Sequence, residues 1–120
     1  MTVYATIIGI LGGTKPPFKK DLESQLNDFG RLFPGKQVCI IGDYNITFTG
    51  RAYPSHVARE ALNNVFEKFK LTNLTAAKTG WVDHIAISSD FMGNKEVSFE
   101  TLNKKDELSD HIGFCATITE

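Results

Sequence analysis

The chain has 120 residues, 42% of them hydrophobic and 22% charged, with 13 Lys+Arg against 14 Asp+Glu for a formal net charge of −1. That length suits one globular domain over residues 1–120, and the composition excludes bulk disorder, collagen-like and low-complexity chains. The near-zero charge excludes a domain that grips nucleic acid mainly through its overall field, and no apolar run reaches the ~20 residues of a membrane span.

In chain order, Thr2 to Leu11 (TVYATIIGIL) is apolar and β-branched, and reads as a buried strand ended by Gly12-Gly13. A helix follows from about Pro17 to Phe33. Phe18, Leu22, Leu26, Phe29 and Phe33 recur at steps of three and four, and Pro34-Gly35 stops it. Gln37 to Ile41 reads as a second buried strand. Strand, helix, strand is a crossover unit, so the two strands belong to one sheet. The segment from Asn45 to Tyr53 is irregular. A second helix spans about Ser55 to Lys70, with Ser55 as its N-cap and Ala58, Ala61, Leu62, Val65, Phe66 and Phe69 as its apolar stripe.

The second half is strand-like. Leu71 to Ala76 is a short strand. Trp81 to Ser88 and Val97 to Leu102 alternate apolar and polar residues, and Ile112 to Thr119 is a final buried strand. Asp90 to Asn94 and Asn103 to Ser109 read as loops. Cys39 and Cys115 sit in apolar runs and read as buried free thiols. No basic leader with a cleavage site precedes the first strand, which points to a cytoplasmic protein. The fold class is α/β (α+β), a mixed sheet of about five strands with two helices on one face.

Three polar clusters interrupt these apolar strands: Gly42-Asp43-Tyr44-Asn45, Asp83-His84 and Ser109-Asp110-His111. Each has an ordinary reading as turn, cap or solvated residue, and His84 reads as pointing to solvent. Together they offer carboxylate and amide oxygens for a hard cation, and a histidine that a carboxylate can orient.

The strings IIGDYN (Ile40 to Asn45), WVDHIAIS (Trp81 to Ser88) and SDHIGFCATI (Ser109 to Ile118) resemble the three C-terminal motifs of the endonuclease/exonuclease/phosphatase superfamily. The resemblance runs from Tyr4 to the C-terminus and implies half of a DNase I-like four-layer sandwich. It implies Mg²⁺- or Mn²⁺-dependent hydrolysis of a phosphodiester or phosphomonoester, nuclease-like. Asp43 matches the aspartate that positions or activates the attacking water. Asn45 matches the asparagine at the scissile phosphate. Asp83 matches the aspartate that orients the catalytic histidine, and His111 matches that histidine, which contacts phosphate. Asp110 matches a supporting carboxylate on the metal side, with Asp43 as its companion ligand. The family's first half, with the glutamate that is its main metal ligand, has no counterpart here; Glu23, Glu60 and Glu67 lie on the two helices.

Two expectations follow from that departure. A half sandwich leaves an apolar sheet face uncovered, so a homodimer or a partner chain is expected to cover it. The alternative to a hydrolase is a non-catalytic half-domain that binds a partner chain or a phosphorylated ligand. Lys15, Lys19, Lys20, Arg51, Lys104 and Lys105 are candidate phosphate contacts, for a phosphoester substrate that includes nucleic acid, with solvated surface charge as their default role.

Overall fold

The computed structural model describes residues 1–9, 15–103, 105 and 108–120. The expectations for Ile10, Leu11, Gly12-Gly13 and Lys104 lie outside these residues. The elements are β1 (Thr2–Ile7), α1 (Pro16–Leu32), β2 (Val38–Asp43), α2 (His56–Lys68), β3 (Leu71–Asn73), β4 (Asp83–Ser88), α3 (Ser89–Met92), β5 (Glu96–Leu102) and β6 (Gly113–Thr119). β1 to β4 form a mixed sheet in the order β1-β2-β4-β3, and β5 pairs with β6 in a separate two-stranded sheet. The single sheet of about five strands expected from sequence is thus a sheet of four plus a hairpin.

β1 and β2 are parallel, with Thr6 opposite Gly42 and Ile7 opposite Asp43. This is the expected crossover through α1. β4 runs antiparallel to β2 and sets Asp83 directly across from Asp43. α1 starts with prolines at its first two positions, where a missing N–H costs nothing, and α2 is capped by Ser55, whose hydroxyl accepts the Ala58 N–H.

Successive residues of a strand face opposite sides of a sheet. Val38, Ile40 and Ala86 turn to one side and pack with Phe18, Leu22 and Phe29 of α1 and Leu62 and Phe66 of α2. Both helices therefore cover one face. Cys39, Ile85 and Ile87 turn to the other side, where Met92 and the inward residues Val97, Phe99, Phe114, Ala116 and Ile118 of the hairpin meet them. The hairpin of the chain itself thus covers part of the face that the half-sandwich argument left open. What stays bare lies at the β1 edge, where Val3 and Ile7 are 61% and 60% exposed.

Four burial expectations are corrected. β1 is an edge strand with one uncovered face, so it alternates instead of being buried throughout. β4 is buried on both faces from His84 to Ser88, because it is an interior strand between helices and hairpin. β6 alternates because a two-stranded sheet has one wet face, and this leaves Cys115 exposed while Cys39 is buried; both are free thiols. His84 is 0% exposed, the opposite of the solvent position read from sequence. Asp90 to Met92 also differ from the expected loop, since they belong to the single turn of α3.

Candidate functional site

Gly42 makes the end of β2 possible. Its φ is +147°, and a Cβ there would fall 1.9 Å from the Thr6 carbonyl oxygen of the parallel neighbour. Only glycine lets β1 approach this closely. The strand then delivers Asp43 to the sheet end, and the Ile8 N–H donates to the Asp43 carbonyl at 2.9 Å. On the other side, the Tyr44 N–H donates to Val82 O, tying the turn after β2 to the segment before β4. Tyr44 itself is buried, and its hydroxyl donates to Ile40 O.

The hairpin supplies the third member. His111 precedes β6, and its Nδ1 lies 2.7 Å from Asp83 Oδ2. The segment is fixed by Asn103, whose amide donates to Ser109 O and His111 O, and by the Ser109 hydroxyl, which accepts the His111 N–H. One ligand atom from each of Asp43, Asp83 and His111 lies within 4.8 Å of the others. A shallow cavity of about 170 Å³ runs alongside, lined by Ile41, Gly42, Asp83, Ile112 and Phe114.

The electrostatics follow from this packing. The Asp83 hydrogen bond and charge hold the His111 imidazole above the ordinary histidine range. Partial burial pushes the Asp83 carboxyl up, and this exceeds the opposing pull of His111. The side chains are 39% and 25% exposed, so the pair is reachable from solvent.

The other expected residues fall as follows. Asn45 is at the site, in a left-handed conformation with φ +50°, and its main-chain N–H closes a turn onto Asp43 Oδ1. Its side-chain amide faces Ile8 O, Gly9 O and Asp43 Oδ2. Asp110 is peripheral, with Oδ1 4.0 Å from His111 Nε2 and a side chain 98% exposed. Among the described residues, the group able to share a cation is Asp43, Asp83 and His111, without Asp110. Lys15, Lys19, Lys20, Arg51 and Lys105 are exposed.

Two further residues hold the surroundings of the site, one of them, His84, read from sequence as solvent-facing. His84 Nε2 lies 2.9 Å from both Ile46 O and Trp81 O, so that nitrogen carries the proton, and Nδ1 accepts from the Thr75 hydroxyl at 2.8 Å. It joins the segment after Asn45 to the segment before Asp83, and burial lowers its pKa. Arg59 of α2, to which the sequence pattern drew no attention, turns its guanidinium onto Thr47 O, Thr47 Oγ1, Thr49 O and Gly50 O and ties down the irregular 46–53 segment. The apolar flank of His84 and the carbonyl-rich turn before Arg59 leave no mark on helical or strand periodicity.

No helix among the described residues is long and apolar enough to cross a membrane. No protein-family model and no curated protein matches the sequence. Solved structures do match. The 3′-5′ exonuclease NExo from Neisseria meningitidis aligns with a TM-score of 0.71 at 16% identity, over 98% of this chain and 61% of that one. The 3′ phosphatase NExo from Neisseria bound to product DNA hairpin gives 0.69 at the same identity and coverage. The chain therefore spans about three-fifths of the length of the structures it matches. The described chain has the fold of part of a DNase I-like domain, the fold that its three motifs led one to expect.

Proposed function

We propose that this chain carries the histidine-bearing part of a metal-dependent phosphoesterase, acting on a phosphodiester or phosphomonoester. The observation that carries the reading is the Asp83–His111 pair with the Asp43 carboxylate beside it, at one end of a sheet. His111, oriented and kept protonated by Asp83, donates to a phosphoryl oxygen and stabilises the charge that builds there. Asp43 faces the same point from β2 and accepts a proton from the attacking water. The exonuclease and 3′ phosphatase activities named for NExo belong to the same reaction class, and nucleic acid is the substrate class they suggest.

The donor set fits a divalent cation. The two carboxylates, hard oxygen donors, suit Mg²⁺ or Mn²⁺, while the protonated His111 is left for the phosphate. Asp43 and Asp83 would hold it, with Asp110 as an outer carboxylate, and the ion would neutralise developing negative charge. Among the described residues no glutamate joins this group, which favours a second reading, a domain that binds a phosphorylated ligand without turnover.

Hydrolysis of bis-p-nitrophenyl phosphate with Mn²⁺ or EDTA separates the two. Metal-dependent turnover that disappears in His111→Ala supports the hydrolase. Equal rates in the two proteins, with retained affinity for inorganic phosphate, support the binding domain.

A further inference from the structure

Asn45 stands where a phosphate contact is expected, but its amide is turned into the protein. Nδ2 lies 2.8 Å from Ile8 O, 3.1 Å from Asp43 Oδ2 and 3.2 Å from Gly9 O. A carboxamide nitrogen has only two protons, and three protein acceptors already share them. Its main-chain N–H goes to Asp43 Oδ1 at 2.8 Å. Both oxygens of Asp43 are thus oriented by the one residue.

The Gly9 peptide is held from both sides. Asn45 takes its carbonyl, and Asp21 Oδ2 of α1 accepts its N–H. Gln25, one turn further along α1, donates to Ile7 O and accepts from the Thr6 hydroxyl. Gly9 has φ +68°, and a Cβ there would fall 2.0 Å from the Phe18 ring, so this turn sits against α1 with no room for a side chain. A continuous hydrogen-bonded path runs from α1 through Asp21, Gly9 and Asn45 to the carboxylate of Asp43.

We propose that Asn45 is a positioning residue, which transmits the placement of α1 through Asp21 and Gly9 to Asp43, and that it does not bind the substrate phosphate. Asp21 is then a second positioning residue, although it lies outside the Asp43, Asp83 and His111 group. The catalytic consequence rests on the phosphoesterase reading; the relay itself does not.

The test compares Asn45→Gly, which keeps the left-handed backbone and removes the amide, with Asp21→Ala, which removes the acceptor of the Gly9 N–H and leaves the Asp43, Asp83 and His111 group itself unaltered. Three quantities are read: kcat and KM for bis-p-nitrophenyl phosphate with Mn²⁺, affinity for inorganic phosphate, and amide hydrogen exchange without either. Both variants should lose about tenfold or more in kcat with KM and phosphate affinity within about twofold of the parent. In Asp21→Ala the Asn45 N–H, two bonds along the relay, should exchange about tenfold faster. A drop in phosphate affinity of about tenfold in Asn45→Gly, with Asp21→Ala unchanged in every readout, overturns the proposal. Should the parent protein prove inactive, the phosphoesterase reading fails, and the exchange rate of the Asn45 N–H in Asp21→Ala still decides the relay: unchanged exchange overturns it.

Discussion

His111 Nδ1 and Asp83 Oδ2 lie 2.7 Å apart although 28 residues separate them in sequence. The contact joins the four-stranded sheet to the start of the hairpin's second strand, so the pair forms only when the hairpin is docked. Its protonation is set by that contact. The folded His111 pKa is raised by Asp83, so the pair stabilises the fold below the unfolded histidine value of about 6.5 and the contribution fades as pH rises through the folded pKa. In an NMR titration, His111 should keep its proton to higher pH than a model histidine. Asp83→Asn should move its midpoint down, and should cut any phosphoesterase kcat by about 10²-fold or more. A midpoint unmoved by Asp83→Asn would break the assigned pairing.

His84 has the opposite pH sign. Its folded pKa is lowered by burial, so its contribution is complete above about 6.5 and is lost as pH falls through the folded value. His84→Phe removes the donor shared by Ile46 O and Trp81 O and should cost about 1–3 kcal/mol at neutral pH. Urea unfolding at pH 7 and pH 5 checks both points, and the variant's stability should fall less than the parent's over that interval.

Gly42→Ala should be far more damaging than an ordinary strand substitution. The new methyl meets a backbone oxygen, which cannot swing aside as a side chain can, and the backbone angle is one that alanine avoids. A loss of about 3 kcal/mol or more is expected, with β1 losing protection from hydrogen exchange before β4. Gly30→Ala, where a Cβ meets nothing within 4 Å, is the matched control and should be neutral or slightly stabilising.

The bare apolar strip on β1 should drive association. Val3 and Ile7 project from an edge strand that carries no charge or proline to discourage pairing. Sedimentation at increasing concentration should show a dimer, and Ile7→Glu should shift it to monomer without loss of secondary structure. A parent chain that stays monomeric at about 100 μM would remove the expectation of a homodimer.

A cation at the proposed site should be detectable without catalysis. Mn²⁺ should broaden the NMR signals of His111 and of the Asp43 and Asp83 amides first, and Asp43→Asn should weaken that effect about tenfold. Broadening centred on Glu23, Glu60 or Glu67 would place the ion elsewhere.

Local pattern determined much of this protein. The helical stripes of Phe18, Leu22 and Phe29 and of Ala58, Leu62 and Phe66 are side-chain periodicities, and they mark the faces that α1 and α2 bury. The parallel placement of β1 beside β2 follows from the handed crossover that a strand, a helix and a strand must make. Asp43, Asp83 and His111 were legible as polar interruptions of apolar strands whose three motifs, taken together and in order, resemble one family, although each alone reads as a turn, a cap or a solvated residue. Burial was a different matter. Whether an apolar strand is central or at an edge depends on what packs over it, so TVYATI looked buried and is half bare, while DHIAIS looked half exposed and is enclosed. The same holds for the polar groups. His84 is inside because Ile46 O, Trp81 O and the Thr75 hydroxyl converge on its ring, and Asn45 faces Ile8 and Gly9 because β1 ends beside it. Sequence specifies which groups must find partners; only the tertiary structure decides which partners they find, because hydrogen-bond satisfaction and burial are properties of neighbours brought together by folding.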